Sequence, residues 1–206
     1  MALSERSEGR GRGQSTLLGY KTMAVHTRPA LGTTMEELIR GSLITAMARM
    51  QEHVALVELS NVDESTFRSF LLAEIKKRAP LAQCQTEWQR FDLLVQSGGC
   101  NAIVELKFYM TRPMNSLNGK HLRWKGWASP ENEADFQKCV QKLRGTRIVG
   151  IDCKFIVLVF EASTSRKSKY TFTKSYEDLG RFNVLREIPV EHGFAEHLMC
   201  KFAQIE

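Results

Sequence analysis

The sequence predicts an α/β domain in which a central mixed sheet is flanked by helices, with elements in the order helix, strand, strand, strand, helix, strand. Three observations predict it. The pair Gly98-Gly99 divides the stretch "FDLLVQSGGCNAIVELK", residues 91–107, into the two strands of a hairpin. The run "KFIVLVFEA" is apolar almost throughout, the pattern of a strand buried on both faces. Between them "SPENEADFQKCVQKLRG" reads as a crossover helix, with Ser129 as N-cap, Pro130 at the first helical position and Gly145 just past the end.

The remaining elements follow in order. Residues 1–33 are polar and rich in Gly and Arg, with no apolar signal core, and read as a flexible basic tail or a phosphate-binding arm. A single domain is expected over 34–206. Its first helix, about 34–52, opens on Thr33 or Thr34 placed three residues before Glu36 or Glu37, a capping-box spacing. A second helix, about 62–78, has acids early and bases late, with Pro80 just beyond. A short strand is expected near 82–88, then the hairpin, then a long irregular connection over 110–130. The last forty residues suggest a strand at 170–174 and a terminal helix near 191–204.

Composition bounds the function. A chain of 206 residues, 43% hydrophobic and 25% charged, can bury a core without staples. Five scattered cysteines, Cys84, Cys100, Cys139, Cys153 and Cys200, lack CxxC spacing and point to reduced thiols and a cytoplasmic setting. No apolar run reaches the ~18 residues of a membrane span. A net charge of +6 leans toward polyanionic partners. The five histidines form no metal-spaced cluster, and no Walker A loop, GxSxG elbow or GxGxxG follows a strand.

The hairpin carries the chemistry. With Gly98-Gly99 central in a two-residue turn, Ser97 pairs with Cys100 and paired residue numbers add to 197. That register sets Asp92 opposite Glu105, about 5 Å apart at Cβ, with Lys107 on the same face. Phe91, Leu93, Val95, Ala102, Val104 and Leu106 are then expected on the other. Opposed carboxylates destabilise a sheet unless a cation compensates, and Mg²⁺ suits one or two carboxylates and its own waters. The second helix should bring Glu64, in its first turn and on its inward stripe, toward Asp92. Taken alone, a first-turn Glu such as Glu64 more often only complements the helix dipole; Glu74 is the second choice, at the wrong end of the helix.

Asp92, then Glu105-Leu106-Lys107 twelve residues on, resembles the D-x(n)-E-x-K signature of the PD-(D/E)xK, restriction-endonuclease-like superfamily. The element order over about 61–162 resembles that core as well. Phe91 stands where the name-giving Pro would be, and Asp135, Gln137 and Lys138 of the crossover helix match no family position. The resemblance implies a Mg²⁺-dependent nuclease, with Mn²⁺ as substitute, acting on DNA ahead of RNA, with a homodimer admitted. It also implies that Asp92, Glu105, the Leu106 carbonyl and Glu64 hold the metal, and that Lys107 orients water or stabilises charge at phosphorus. For nucleic-acid contact, "GKHLRWKGW" offers Lys120, Arg123, Trp124 and Lys125, bases interleaved with aromatics. The same loop could be a lid anchored by its tryptophans. A surface salt-bridge cluster on an inactive, nuclease-like fold that only binds nucleic acid or protein is the alternative for the whole.

Overall fold

Thr34 settles where the first helix begins. In a computed structural model of the chain, its hydroxyl accepts from the Glu37 amide at 3.2 Å while the Glu37 carboxylate accepts from the Thr34 amide at 2.8 Å, a reciprocal capping box. Helix α1 runs from there over Met35–Val57, longer than expected, and buries Leu38, Ile39, Leu43, Ala46 and Met47 on one stripe. The structure describes residues 33–57, 62–109, 112–115, 121–125, 130–161, 176–190 and 198–206. The expected tail at 1–33 falls almost wholly outside these residues, as do the expected strand at 170–174 and the Ser129 cap.

Helix α2, Glu64–Arg78, is capped by Asp63, whose carboxylate accepts from the Thr66 amide at 2.8 Å. It packs on α1 through Phe67, Leu71 and Ile75. Strand β1 (Gln83–Trp88), β2 (Phe91–Ser97) and β3 (Cys100–Tyr109) follow as an antiparallel meander. Helix α3 (Pro130–Gly145) then carries the chain across, and β6 (Cys153–Glu161) returns parallel to β3. Between β3 and α3, β4 (Arg112–Asn115) and β5 (His121–Lys125) form a separate antiparallel pair. The connection expected to be irregular therefore contains a hairpin.

After β6 come a 3-10 turn at Leu179–Phe182, β7 (Arg186–Ile188) and β8 (Leu198–Ile205). The six-stranded sheet has the order β1-β2-β3-β6-β8-β7, with one parallel pair, so it is a mixed sheet. The terminal segment corrects the sequence reading: the expected helix near 191–204 is, where described, strand β8. Leu198, Cys200 and Phe202 enter the core shared with α1 and α2, while Ala203 and Ile205 enter the core shared with α3. That alternation has period two, and β8 supplies the backbone partners that buried β6 needs along its second edge.

Two cores result. Helices α1 and α2 cover one face over Leu93, Val95, Ala102, Val104, Leu106, Phe155, Val157 and Val159. Helix α3 covers the other over Leu94, Ile103, Ile156, Leu158 and Phe160. Strand β6 is buried on both sides, as its apolar run requires. Phe91 departs from expectation: it packs in the α3-side core, not with Leu93 and Val95. No helix among the described residues is long and apolar enough to cross a membrane.

Candidate active site

Every ladder pair of the β2–β3 hairpin follows the register set by the glycine turn, from Ser97↔Cys100 to Leu93↔Val104. Gly98 and Gly99 have φ of 60° and 81°, the signs of a type I′ turn. The ladder stops one step before Asp92 and Glu105. There Asp92 Oδ2 accepts from the Leu106 amide at 2.6 Å, so a carboxylate replaces a strand carbonyl as partner. Asp92 Oδ1 lies 3.5 Å from the Arg68 guanidinium of α2. Arg68 also pairs with Glu87 near the end of β1. Glu87, Asp92 and Glu105 lie on three adjacent strands, but neither Glu87–Asp92 nor the expected Asp92–Glu105 is a ladder pair.

Glu105 and Lys107 turn toward α3. Lys142 of α3 donates to both Glu105 oxygens, at 3.0 and 2.9 Å, and to the Arg90 carbonyl. Its ammonium lies 4.4 Å from the centroid of the Phe91 ring, a cation–π contact that accounts for where Phe91 packs. Lys107 Nζ is 3.2 Å from Asp135 Oδ2, and the Tyr109 hydroxyl stands 3.1 Å from the same oxygen and 3.0 Å from the Asn132 carbonyl. Asp92 is therefore linked to α2, and Glu105 with Lys107 to α3, at the end of the sheet where both layers meet.

Glu64, at the start of α2, is half-buried beside them. Burial, then the charges of Asp92 and Glu105, push its carboxyl up to about 7, against the opposing pull of Lys107 and Arg68. Burial likewise raises Asp92 against the Leu106 hydrogen bond, and raises Glu105 against the Lys142 hydrogen bond. Burial opposes the Lys107 charge, but Cys139, Asp135 and Glu64 outweigh it and hold the ammonium above the ordinary lysine value. Cys139 is itself pushed up to about 11 by burial, so at neutral pH its thiol is uncharged and the carboxylates alone do this. Glu74, the second choice from sequence, stands elsewhere: it is buried between α1 and α2, on Arg49 at 3.0 Å and Lys77 at 2.8 Å.

The structure thus gathers Glu64, Asp92, Glu105 and Lys107 into one field of interacting charges. Among the described residues, no three His, Cys, Asp or Glu side chains stand together as a group that could hold a metal ion. Of the residues expected to contact nucleic acid, Arg123, Trp124 and Lys125 lie in β5, and Lys120 lies outside the described residues. Three residues that complete the site escape the sequence reading, Arg68, Glu87 and Lys142, and a fourth, Asp135, is named there only as a crossover-helix residue without a role. Arg68 was within reach, since it follows Glu64 by one helical turn on the same stripe. The chain matches no family model, no curated protein and no solved structure.

Proposed function

We propose that the chain is a Mg²⁺-dependent nuclease with a restriction-endonuclease-like core, hydrolysing phosphodiester bonds in nucleic acid, DNA ahead of RNA. The observation that carries the reading is that Glu64, Asp92, Glu105 and Lys107, each largely shielded from solvent, lie near enough to shift one another's charge. Three carboxyls are raised there and a lysine is kept charged. A fold gains no stability from carboxylates that disfavour one another's charge, whereas a site awaiting a cation requires them. The donors fit Mg²⁺ in kind: they are hard oxygens, and one or two carboxylates with waters suffice, so a three-residue cage is not needed. Asp92 and Glu105 would hold it, with the Leu106 carbonyl and, through a water, Glu64 completing the shell, once Lys142 yields Glu105.

When bound, the ion would neutralise the phosphodiester and lower the pKa of a coordinated water. The protein's own groups do the rest. Lys107, a compact cation fixed by Asp135, faces the charge that builds on the phosphoryl oxygens as the nucleophile enters. Arg68 holds Asp92 in place from α2, and the Leu106 amide fixes its other oxygen. Glu64, with a pKa of about 7, can exchange a proton with the site at neutral pH.

One observation favours a second reading. Lys142 already satisfies both Glu105 oxygens and Asp135 already satisfies Lys107, as in an inactive nuclease-like fold that only binds nucleic acid or protein. Incubating the protein with plasmid, linear and single-stranded substrates, with Mg²⁺, Mn²⁺ or EDTA, separates the two. Cleavage that needs the metal is expected. Binding without cleavage on every substrate form, with either metal, selects the binding module.

A further inference from the structure

The turn between β1 and β2 is built against the preferences of its sequence. Trp88 pairs with Phe91 across it, and the two central residues, Gln89 and Arg90, have φ of 46° and 74°. Glu87, just before, has φ of 52°. The left-handed region disfavours any residue with a Cβ, and such residues persist only where the surroundings fix them. Here both helical layers do so. Arg68 of α2 pairs with Glu87, and Lys142 of α3 donates to the Arg90 carbonyl. Trp88 and Phe91, which flank the turn, pack into the α3-side core.

What this rigid turn presents is two exposed side chains. The cations inside the site are committed: Arg68 to Glu87 and Asp92, Lys107 to Asp135, Lys142 to Glu105. The Arg90 guanidinium, two residues from Asp92, makes no ion pair among the described residues. A guanidinium carried on a clamped backbone at the rim of an acidic site, with its donors open, matches a phosphate of a polymer whose neighbouring phosphate lies at the acids.

We infer that the Gln89-Arg90 turn is a substrate-contacting element, in which Arg90 binds a backbone phosphate of the nucleic acid next to the bond being cut. The inference rests on the nuclease reading. Its test is binding of a labelled DNA duplex, and of the matching RNA duplex, by wild type, Arg90→Gly and Arg90→Lys across a salt series, with thermal melts of each protein. Arg90→Gly should melt higher, because glycine relaxes the turn, yet bind more weakly. Its plot of log affinity against log salt should be shallower by about 0.9, so between about 50 and 200 mM salt it loses about 3.5-fold less affinity than wild type. Arg90→Lys should keep the wild-type slope. If wild type binds and cuts while Arg90→Gly shows the same affinity and slope, the contact is overturned and the nuclease stands. If wild type binds neither duplex, nor the corresponding single strands, at about 50 mM salt, both fall. An Arg90→Gly melt no higher than wild type overturns the strain that the inference rests on.

Discussion

At one end of strand β2 the chain turns through Gly98-Gly99, and at the other through Gln89-Arg90. Both turns join antiparallel neighbours by two residues, and both carry positive φ at each. At the glycine end every local preference agrees with the fold. The turn residues tolerate their φ, no atom stands within 4 Å of where a Cβ would be, and the ladder is unbroken. At the other end the preferences are violated together. Residues with side chains occupy left-handed positions, acids crowd on neighbouring strands, the ladder opens at Asp92, and charges are shielded from solvent. Violations confined to one end of one strand mark where the molecule gives up stability for something else. What it gives up can be measured, and the glycine end serves as the internal control.

The largest effect should come from Lys107→Ala. One ammonium facing charge that develops only in the transition state is worth about a hundredfold to a thousandfold in kcat, with little change in affinity for nucleic acid. Single-turnover cleavage alongside equilibrium binding checks the split. If Lys107 serves only its ion pair with Asp135, which is half exposed, the wild type cuts nothing and the substitution costs a few tenths of a kcal/mol in stability. A control at the regular end, Asn101→Ala, should leave cleavage unchanged.

The next effect concerns pH. The Glu64 pKa is about 7 in the folded chain and 4.5 as a free side chain, so between these values the folded state binds more protons than the unfolded one. Stability attributable to Glu64 is therefore full below the lower value and lost as pH rises through the higher. Asp92 and Glu105, also raised, add to the same slope. Glu64→Gln should remove its share and melt higher than wild type at pH 8, by about 1–2 kcal/mol after allowance for solvent screening of a half-buried group. At pH 4 the two should coincide. A wild type whose stability is flat between pH 5 and pH 8 would show that neither burial nor mutual repulsion raises these acids. Mg²⁺ at pH 8 should narrow the gap, since it favours the charged wild type.

How much of this was legible in the sequence follows the same division. Gly-Gly between apolar runs is a turn signal, so the register from Ser97–Cys100 to Leu93–Val104 came from it directly; the expected pairing of Asp92 with Glu105 did not, because the ladder ends before it and Asp92 is held by Arg68 of α2. Gln-Arg is not a turn signal. Tertiary clamps from Arg68 and Lys142 hold it, so the β1–β2 register, and with it Glu87, could not be seen from local pattern. Lys142 reaches Glu105 only because α3 crosses the sheet at one particular angle, which no periodicity encodes. The terminal segment failed for another reason. "LMCKFAQI" has apolar residues that suit either period, and what decides for a strand is the open edge of β6, a nonlocal demand.

The smallest effect exchanges the two turns. Gly98→Ala adds a Cβ to a residue at φ 60° with open space around it, so no clash contributes and the cost is backbone conformation alone. That cost should be about 1 kcal/mol. Gln89→Gly is the reverse change at the other end: it relieves a φ of 46°, but it also frees the unfolded chain, so the gain should be smaller, about half a kcal/mol. Chemical denaturation of both variants with an unchanged m-value would read these as stability differences. Opposite signs are the expected result. If both substitutions destabilise, the clamps on Glu87 and Arg90 have shaped the turn so closely that Gln89 is unstrained there. The contrast between the two ends would then lie in their charges alone.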